Sequence, residues 1–162
     1  MASAGNEAIL NGVTLNNATA LQVVIVKTGW NADIVDTLEA GALRVLQQAG
    51  VGQVETITVP GAVEIPFAVN AIDQSASKAH AYIALGCVIR GDTPHFDYVC
   101  QSVTQGITAL NTQLNSPVIF GVLTVNNEAQ AWERLGGAHG HKGEEAGLTC
   151  LHMLQLKERF SR

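Results

Sequence analysis

The stretch L-G-C-V-I-R-G-D-T-P-H-F-D-Y-V at 85–99 combines residue types suited to anion binding and to proton transfer. Thr93 suits a helix N-cap and Pro94 the first helical position, so the helix would present free N–H groups and its positive dipole end to an anion. His95 follows one residue inside the helix, and histidine can exchange a proton near pH 7. We therefore predict an anion site with a general acid or base beside it.

Three further side chains could bind ligands, and each also has a purely structural interpretation. Trp30 follows a glycine at a strand end, where an indole either stacks on a flat heterocycle or is an ordinary loop aromatic. Glu64 lies between Pro60 and Pro66, where a stiff main chain offers free N–H groups; a solvated or capping glutamate is the alternative. Arg134 has a forked guanidinium that suits a phosphate, or it is a solvated arginine near a helix end.

Metal and nucleotide motifs are not found in the sequence. His139 and His141 form an H-x-H in a glycine-rich segment without a further well-spaced ligand, so we predict no metal site. The P-loop, dinucleotide-binding and nucleophile-elbow patterns do not occur. Cys87, Cys100 and Cys150 are odd in number and lie among apolar residues, which predicts free thiols packed in the core and a reducing cytosol.

Composition narrows the class of protein. The 162 residues predict one domain, with 1–20 as a flexible N-terminal segment and 21–162 as the folded unit. A formal charge of −5 without a Lys/Arg cluster argues against a nucleic-acid partner. The sequence has neither a signal-peptide pattern nor an apolar run of about 18 residues, so we expect a cytoplasmic protein without membrane contact.

The proportion of charged residues also predicts an oligomer. Only 14% of the residues are charged, whereas the surface of a small monomer is about 25–35% charged. We infer that part of the surface is covered by other subunits.

Apolar periodicity predicts four strands that alternate with helices. A continuous β-branched run at 21–26 is typical of a strand covered on both faces, and the helix after it should stop at Gly50. Gly106, on the apolar face of the third helix, would allow a neighbouring element to approach closely. The other predicted elements are strands near 54–59, 81–88 and 118–123, helices from 62 to about 75 and from 94 to about 114, a short helix to Leu135 capped by Asn126 or Asn127, a glycine-rich link at 136–143, and a last helix to about Phe160.

This alternation is typical of an α/β fold, a three-layer α/β/α sandwich around a four-stranded parallel sheet with flavodoxin-like winding. In such sheets ligands bind beyond the carboxyl ends of the strands. The segments that follow the first three strands should therefore share one edge.

Four motifs in order resemble those of the 6,7-dimethyl-8-ribityllumazine synthase family. They are V-P-G-A-V-E-I-P at 59–66, G-C-V-I-R-G-D-T-P-H-F-D-Y-V at 86–99, P-V-I-F-G-V-L-T at 117–124 and E-R-L-G-G-A-H-G-H-K-G at 133–143. The resemblance covers about 140 residues. It implies a transferase of riboflavin biosynthesis that condenses 5-amino-6-(D-ribitylamino)uracil with 3,4-dihydroxy-2-butanone 4-phosphate and needs no metal or organic cofactor.

The resemblance also implies roles for individual residues. His95 would transfer protons, and the turn at Asp92 and Thr93 would bind the phosphate through its backbone, together with Arg134 and a supporting Lys142. The aminouracil would contact Trp30, Ala62, Val63, Glu64, Cys87, Val88, Ile89 and Phe120. Phe120, Arg134 and Lys142 match positions that the family supplies from the adjacent subunit.

The family forms homo-pentamers, some of which assemble into icosahedral sixty-subunit shells that can enclose riboflavin synthase. Members that stop at pentamers carry an insertion that this sequence does not have between Arg134 and Lys142, so the resemblance favours the shell. Two alternatives stay open: an archaeal-type riboflavin synthase on the same scaffold, and a non-catalytic shell protein that binds flavin or lumazine.

Overall fold

A parallel sheet forms the middle layer of the computed structural model, which describes residues 13–160. Its strand order is β2-β1-β3-β4, and every neighbouring pair is parallel. The winding reverses direction between β1 and β3, as in flavodoxin-like folds. The strands are β1 (Gln22–Thr28), β2 (Gln53–Val59), β3 (Ala81–Ile89) and β4 (Val118–Val125).

Helices cover both faces of this sheet, which confirms the predicted three-layer sandwich. Two of them, α1 and α5, pack on one face, and α2 and α3 pack on the other. A short α4 follows β4. The helices are α1 (Ala32–Gln48), α2 (Ile65–Asp73), α3 (His95–Gln113), α4 (Glu128–Trp132) and α5 (Lys142–Phe160).

The β-branched run in β1 supplies both layers of the core. Val23 and Ile25 belong to the cluster under α1 and α5, whereas Val24 and Val26 belong to the cluster under α2 and α3. All four side chains are fully buried. Successive side chains of a strand point to opposite faces, so a strand covered on both sides must be apolar throughout.

Glycines end one helix and bring others together. Gly50 has a φ of 74°, and α1 ends just before it, as predicted. A Cβ atom on Gly106 would overlap the Pro66 ring, so α3 approaches α2 closely at the predicted position.

Glycines line the contact between α1 and the start of α5, which we call the glycine seam. A Cβ atom on Gly143 would overlap the Leu38 carbonyl, and one on Gly147 would lie 3.0 Å from Val45 Cβ. A Cβ atom on Gly41 would overlap the His141 imidazole. The two helices therefore touch backbone to backbone near the start of α5.

The region after β4 differs from the prediction. Asn127 is the cap of α4, because its Oδ1 accepts a hydrogen bond from the Gln130 N–H at 3.0 Å. The helix ends at Trp132, not at Leu135. Its predicted extension is wrong because the chain turns there into a hairpin.

That hairpin replaces the predicted glycine-rich link. Strands β5 (Leu135–Gly137) and β6 (Gly140–His141) pair antiparallel. Gly136 and Gly140 have φ values of 109° and 71°, a backbone region that favours glycine. The glycines thus allow a tight hairpin.

The segment before β1 lies along α5. Thr14 accepts a hydrogen bond from Gln155 Nε2 at 3.0 Å through its carbonyl, and Asn16 Nδ2 donates to Glu158 Oε2 at 3.3 Å. Residues 1–12 of the predicted flexible segment fall outside the described residues, so the proposed division of the chain at residue 20 stays a prediction. No described helix is long and apolar enough to cross a membrane.

Candidate active site

Hydrogen bonds tie the loop after β1 to the end of β2 and to the last residues of β3, at one edge of the sheet. Gly29 N–H donates to the Val59 carbonyl at 2.7 Å, and Trp30 N–H donates to the Pro60 carbonyl at 3.2 Å. Asn31 has a φ of 56°, and its side-chain amide donates to the Cys87 carbonyl at 2.8 Å. We call this region the carboxyl edge.

Trp30 offers an open aromatic surface at the carboxyl edge. Its side chain is 68% exposed, yet its ring lies against Gly61, where a Cβ atom would be 2.7 Å from Trp30 Cζ3. One part of the indole is therefore packed, and the rest is free to stack on a planar ligand.

The turn after β2 folds around Glu64. Residues Ala62–Glu64 form one turn of 3₁₀ helix, and Glu64 Oε2 accepts a hydrogen bond from Gly61 N–H at 2.9 Å. The capping alternative for Glu64 is therefore correct, and the bond holds its carboxylate at the corner where Trp30 meets Gly61. Ala62 is buried and Val63 is exposed.

The end of β3 passes from buried to exposed within a few residues. Cys87 is buried, whereas Val88 and Ile89 are half-buried. Burial raises the pKa of the Cys87 thiol to about 11, and the nearby Glu128 carboxylate raises it further, so the thiol stays neutral near pH 7. Cys87 packs in the core, as predicted for the cysteines; Cys150 is buried too, and Cys100 is half-buried.

The start of α3 differs by one residue from the prediction. The helix begins at His95, and Pro94, with φ −62° and ψ −3°, occupies the capping position instead of Thr93. The Pro94 carbonyl accepts a 3₁₀-type bond from Asp97 N–H at 3.0 Å, so the first turn of the helix is tighter than an α-helical turn. Thr93 Oγ1 still accepts a bond from His95 N–H at 3.4 Å. Asp92, Thr93 and His95 are all exposed.

Arg90, which no motif in the sequence singles out, makes the densest set of contacts in this region. Its guanidinium pairs with both carboxylate oxygens of Asp97 at 2.8 and 3.3 Å. Its Nε donates to Asn126 Oδ1 at 3.2 Å, and its Cζ lies 4.1 Å from the centroid of the Phe96 ring. The sequence holds one signal for this pair: Arg90 directly follows a strand, and the acidic Asp97 comes seven residues later in the first turn of a helix.

A groove of about 900 Å³ runs along the outer edge of β4. Because β4 is the last strand of the sheet, no further strand pairs with this edge within residues 13–160. Phe120 is 42% exposed on β4. The groove is lined by Phe120, Arg134 and Lys142 together with Asn111, Pro117, Val118, Ile119, Gly121, Val122, Leu123, Thr124, Glu145, Ala146, Thr149 and Met153. We call it the β4 groove.

The two cations of the β4 groove flank the hairpin, and groups of α4 and α5 hold their side chains. Lys142 N–H donates to the Arg134 carbonyl at 2.8 Å. Arg134 Nη1 donates to the Gln130 carbonyl at 2.7 Å, and Lys142 Nζ pairs with both oxygens of Glu145 at 2.7 and 2.9 Å. A guanidinium anchored by one nitrogen keeps its other donors for an anion.

The two loop histidines face different partners. His139 Nε2 lies 3.9 Å from Glu133 Oε2, and His141 Nδ1 accepts a hydrogen bond from Glu144 N–H at 3.4 Å. Burial lowers the pKa of His141, with an opposing effect from Glu144. Within residues 13–160, no three His, Cys, Asp or Glu side chains are grouped as metal ligands would be.

The predicted site residues thus fall into two groups on one chain. The carboxyl edge carries Trp30, residues 62–64, the end of β3 and the turn before His95, whereas the β4 groove carries Phe120, Arg134 and Lys142. His95 begins α3 on one face of the sheet, and Lys142 begins α5 on the other. His95 does not line the β4 groove.

Comparison with known proteins gives a consistent result. A family model described as 6,7-dimethyl-8-ribityllumazine synthase matches residues 20–158. A protein of that name from Porphyromonas gingivalis is 48% identical over 139 residues, covering 85% of this chain and 86% of the relative. Another from Phocaeicola vulgatus is 43% identical over 148 residues (90% and 88%), and one from Bdellovibrio bacteriovorus is 45% identical over 140 residues (86% and 77%). The chain therefore belongs to the 6,7-dimethyl-8-ribityllumazine synthase family.

Proposed function

We propose that this chain is a transferase that makes 6,7-dimethyl-8-ribityllumazine from 5-amino-6-(D-ribitylamino)uracil and 3,4-dihydroxy-2-butanone 4-phosphate, releasing phosphate and water, without a metal or organic cofactor. This is a step of riboflavin biosynthesis. Family membership over residues 20–158 is the observation that carries the proposal. The residues at the carboxyl edge and in the β4 groove supply the chemical groups that the reaction requires.

The carboxyl edge takes the aminouracil in this proposal. Trp30 stacks on the pyrimidine, since most of its indole is exposed. The turn Ala62–Glu64 holds the ribityl chain through backbone groups and the Glu64 carboxylate, which the bond to Gly61 N–H keeps in place. Backbone groups of Cys87, Val88 and Ile89 contact the uracil edge.

The phosphate-bearing substrate lies next to the aminouracil, over the turn at Asp92 and Thr93. Three events need proton transfer. The 5-amino group condenses with the ketone and loses a water, the phosphate is eliminated together with the adjacent C–H proton, and the second amine adds to the carbonyl that results and loses a second water to close the ring. His95, exposed at the start of α3, is the group we assign to these transfers. Holding both substrates in one pocket supplies much of the remaining rate enhancement.

A second subunit completes the site, because Phe120, Arg134 and Lys142 lie in the β4 groove and not at the carboxyl edge. The pattern is that of a ring with head-to-tail contacts, in which each β4 groove covers the carboxyl edge of the next copy. The exposed side chains of Phe67 (79%) and Tyr98 (69%) are apolar area that such a contact would bury.

We extend the proposal to a homo-pentamer and to a cytoplasmic location. Pentamers would pack into an icosahedral sixty-subunit shell that encloses riboflavin synthase. Light scattering on the purified protein distinguishes a shell from a single pentamer by particle radius, and co-purification with riboflavin synthase tests enclosure.

The reaction itself is tested by incubating the purified protein with both substrates and following lumazine absorbance. Formation of the lumazine with release of phosphate supports the proposal. Absence of product with the aminouracil and the butanone phosphate would contradict it, and consumption of lumazine instead would indicate a riboflavin synthase.

Mixing two impaired variants, assayed at a butanone phosphate concentration far below the KM of Arg134→Ala, tests the shared site. His95→Ala and Arg134→Ala disable different groups, so co-assembly of equal amounts should restore about a quarter of the sites if each site uses two neighbouring chains. A site contained in one chain gives no restoration. Each variant assembled alone is the control.

A further inference from the structure

Arg90 links three elements beside the proposed phosphate turn. Its own N–H donates to the Val125 carbonyl at 2.9 Å and extends the pairing of β3 with β4. Its side chain reaches Asp97 in the first turn of α3 and Asn126 in the loop after β4. The planar guanidinium also lies over the Phe96 ring. All three side-chain nitrogens donate to a neighbour, which fixes the orientation of the group.

The negative charge of Asp97 bears directly on phosphate binding at the start of α3. It is the acidic residue in the first turn of α3, where the helix N–H groups and dipole attract anions. A carboxylate in this position competes with a bound phosphate for the same field and repels it. Both Asp97 oxygens accept instead from Arg90, at 2.8 and 3.3 Å.

We propose that Arg90 is a positioning residue for the phosphate-bearing substrate, which neutralises Asp97 and holds the first turn of α3 so that its N-terminus is left to the phosphate. The inference rests on the proposed function. Arg90 touches neither substrate in this proposal; it acts through Asp97 and through the placement of the turn that precedes His95.

The pair is too exposed to serve mainly for stability. The Arg90 and Asp97 side chains are 42% and 59% exposed, and exposed ion pairs contribute little to folding. Removing Arg90 should therefore leave the melting temperature nearly unchanged. Its effect should appear in phosphate binding.

The test compares Arg90→Ala, Asp97→Asn and the double variant by steady-state kinetics in both substrates. Arg90→Ala should raise the KM for the butanone phosphate about tenfold, or about 1.4 kcal/mol, because it leaves the Asp97 charge uncompensated. The KM for the aminouracil should stay within about twofold. The double variant should recover most of the lost affinity, since no carboxylate then needs neutralising. The rise in KM that remains measures the loss of the Arg90 contacts to Asn126 and Phe96 that hold the turn.

Two controls separate this role from loss of packing. Arg90→Lys keeps the charge but loses the paired geometry, so its KM should lie between wild type and Arg90→Ala. Arg159→Ala removes an arginine whose Cζ lies 5.5 Å from the Phe160 ring at the far end of α5, and it should leave both KM values unchanged. A double variant as impaired as Arg90→Ala, or equal rises in both KM values, would overturn the inference.

Calorimetric titration of the assembled protein with inorganic phosphate gives a readout that does not depend on turnover. Phosphate should bind more weakly to Arg90→Ala and regain affinity in the double variant. If the wild type makes no lumazine, the proposed function fails while this titration still tests Arg90. If phosphate affinity is unaffected by Arg90→Ala, the inference fails while the proposed function stands.

Discussion

The carboxyl edge and the β4 groove carry the two halves of the proposed chemistry in different ways. At the carboxyl edge, backbone bonds from Gly29 and Trp30 to the end of β2, and side-chain bonds of Asn31 and Glu64, fix Trp30 and the Glu64 turn within one chain. In the β4 groove, cations on a hairpin line a strand edge that no strand of the described chain covers. The first region is organised within its own chain, whereas the second is open along a strand edge and, in the proposed assembly, covers the neighbouring copy.

In the proposed site the two regions contribute different groups: the carboxyl edge supplies recognition, proton transfer and the backbone turn for the phosphate, and the β4 groove supplies the cations. The carboxyl edge has an aromatic, a carboxylate and a histidine, whereas the β4 groove has a guanidinium and an ammonium group. Damage to each region should therefore produce a different kinetic defect. The predictions below run from the largest expected effect to the smallest.

His95→Ala should have the largest effect, because it removes the proton-transfer group of the carboxyl edge and leaves the β4 groove intact. We expect kcat to fall by about 10²- to 10⁴-fold with little change in either KM, measured by lumazine absorbance. His80→Asn is the control: His80 precedes β3 at the opposite end of the sheet, where it accepts a bond from Gln22 N–H at 3.0 Å. Unchanged kcat in His95→Ala would remove this residue from the chemistry.

Arg134→Ala should damage the β4 groove selectively. Loss of a charge-assisted bond to phosphate should raise the KM for the butanone phosphate about 10- to 100-fold. The KM for the aminouracil should change far less. Arg134→Lys keeps the charge but not the forked guanidinium, so its KM for the butanone phosphate should lie between those of the wild type and Arg134→Ala. Equal changes in both Michaelis constants would contradict the assignment.

Gly61→Ala should displace the indole at the carboxyl edge, because the new Cβ atom would lie 2.7 Å from Trp30 Cζ3. We expect the KM for the aminouracil to rise about 3- to 10-fold and the KM for the butanone phosphate to stay constant. Gly91→Ala is the matched control, since a Cβ atom there meets no atom within 4 Å. Were both variants equally impaired, contact with the indole would not be the cause.

His141 should give the smallest effect, seen only in acid. Burial lowers its pKa, and Glu144, Arg44 and Glu145 are the charged groups facing it. The unfolded chain therefore binds a proton more readily, so stability rises with pH and is lost as the pH falls below about 6.5. Protonation also removes the Nδ1 acceptor from Glu144 N–H.

Hydrogen exchange at the first turn of α5, near neutral pH and in mild acid, measures this effect. His141→Asn keeps a capping side chain but does not titrate, so it should abolish the acid-induced loss of protection, measured relative to the intrinsic exchange rate at each pH. His139→Asn in the same hairpin should behave like the wild type, because its side chain is half exposed (51%). An acid response that survives in His141→Asn would point to another group.

The sequence was enough to predict the sheet and its layers, because the β-branched run of β1 and the helical spacing after it have few other solutions. It was not enough for the region around Arg134. Glycines at 136 and 140 suit a flexible link as well as a tight hairpin, and only pairing with a neighbouring strand decides between them. The extension of α4 to Leu135 was wrong for the same reason.

For the candidate site, the sequence offers candidate residues, which stay a prediction, but it does not give their arrangement. The motifs that contain His95 and Arg134 are readable one at a time, whereas the faces on which they lie depend on which side of the sheet α3 and α5 cover. The sequence does not predict the contacts of Arg90, because its partners Asp97 and Asn126 come together only when β3 and β4 are side by side.

The glycine seam between α1 and α5 limits how this scaffold can be re-engineered. Lys142 begins α5, and the next residue, Gly143, touches the Leu38 carbonyl with no room for a side chain. In the proposed site, moving α5 outward to widen the β4 groove for a bulkier phosphate-bearing substrate would therefore break the contact between α1 and α5. A change of substrate in the proposed site would instead require exchange of groove side chains such as Phe120 or Met153, while the spacing between α1 and α5 stays the same.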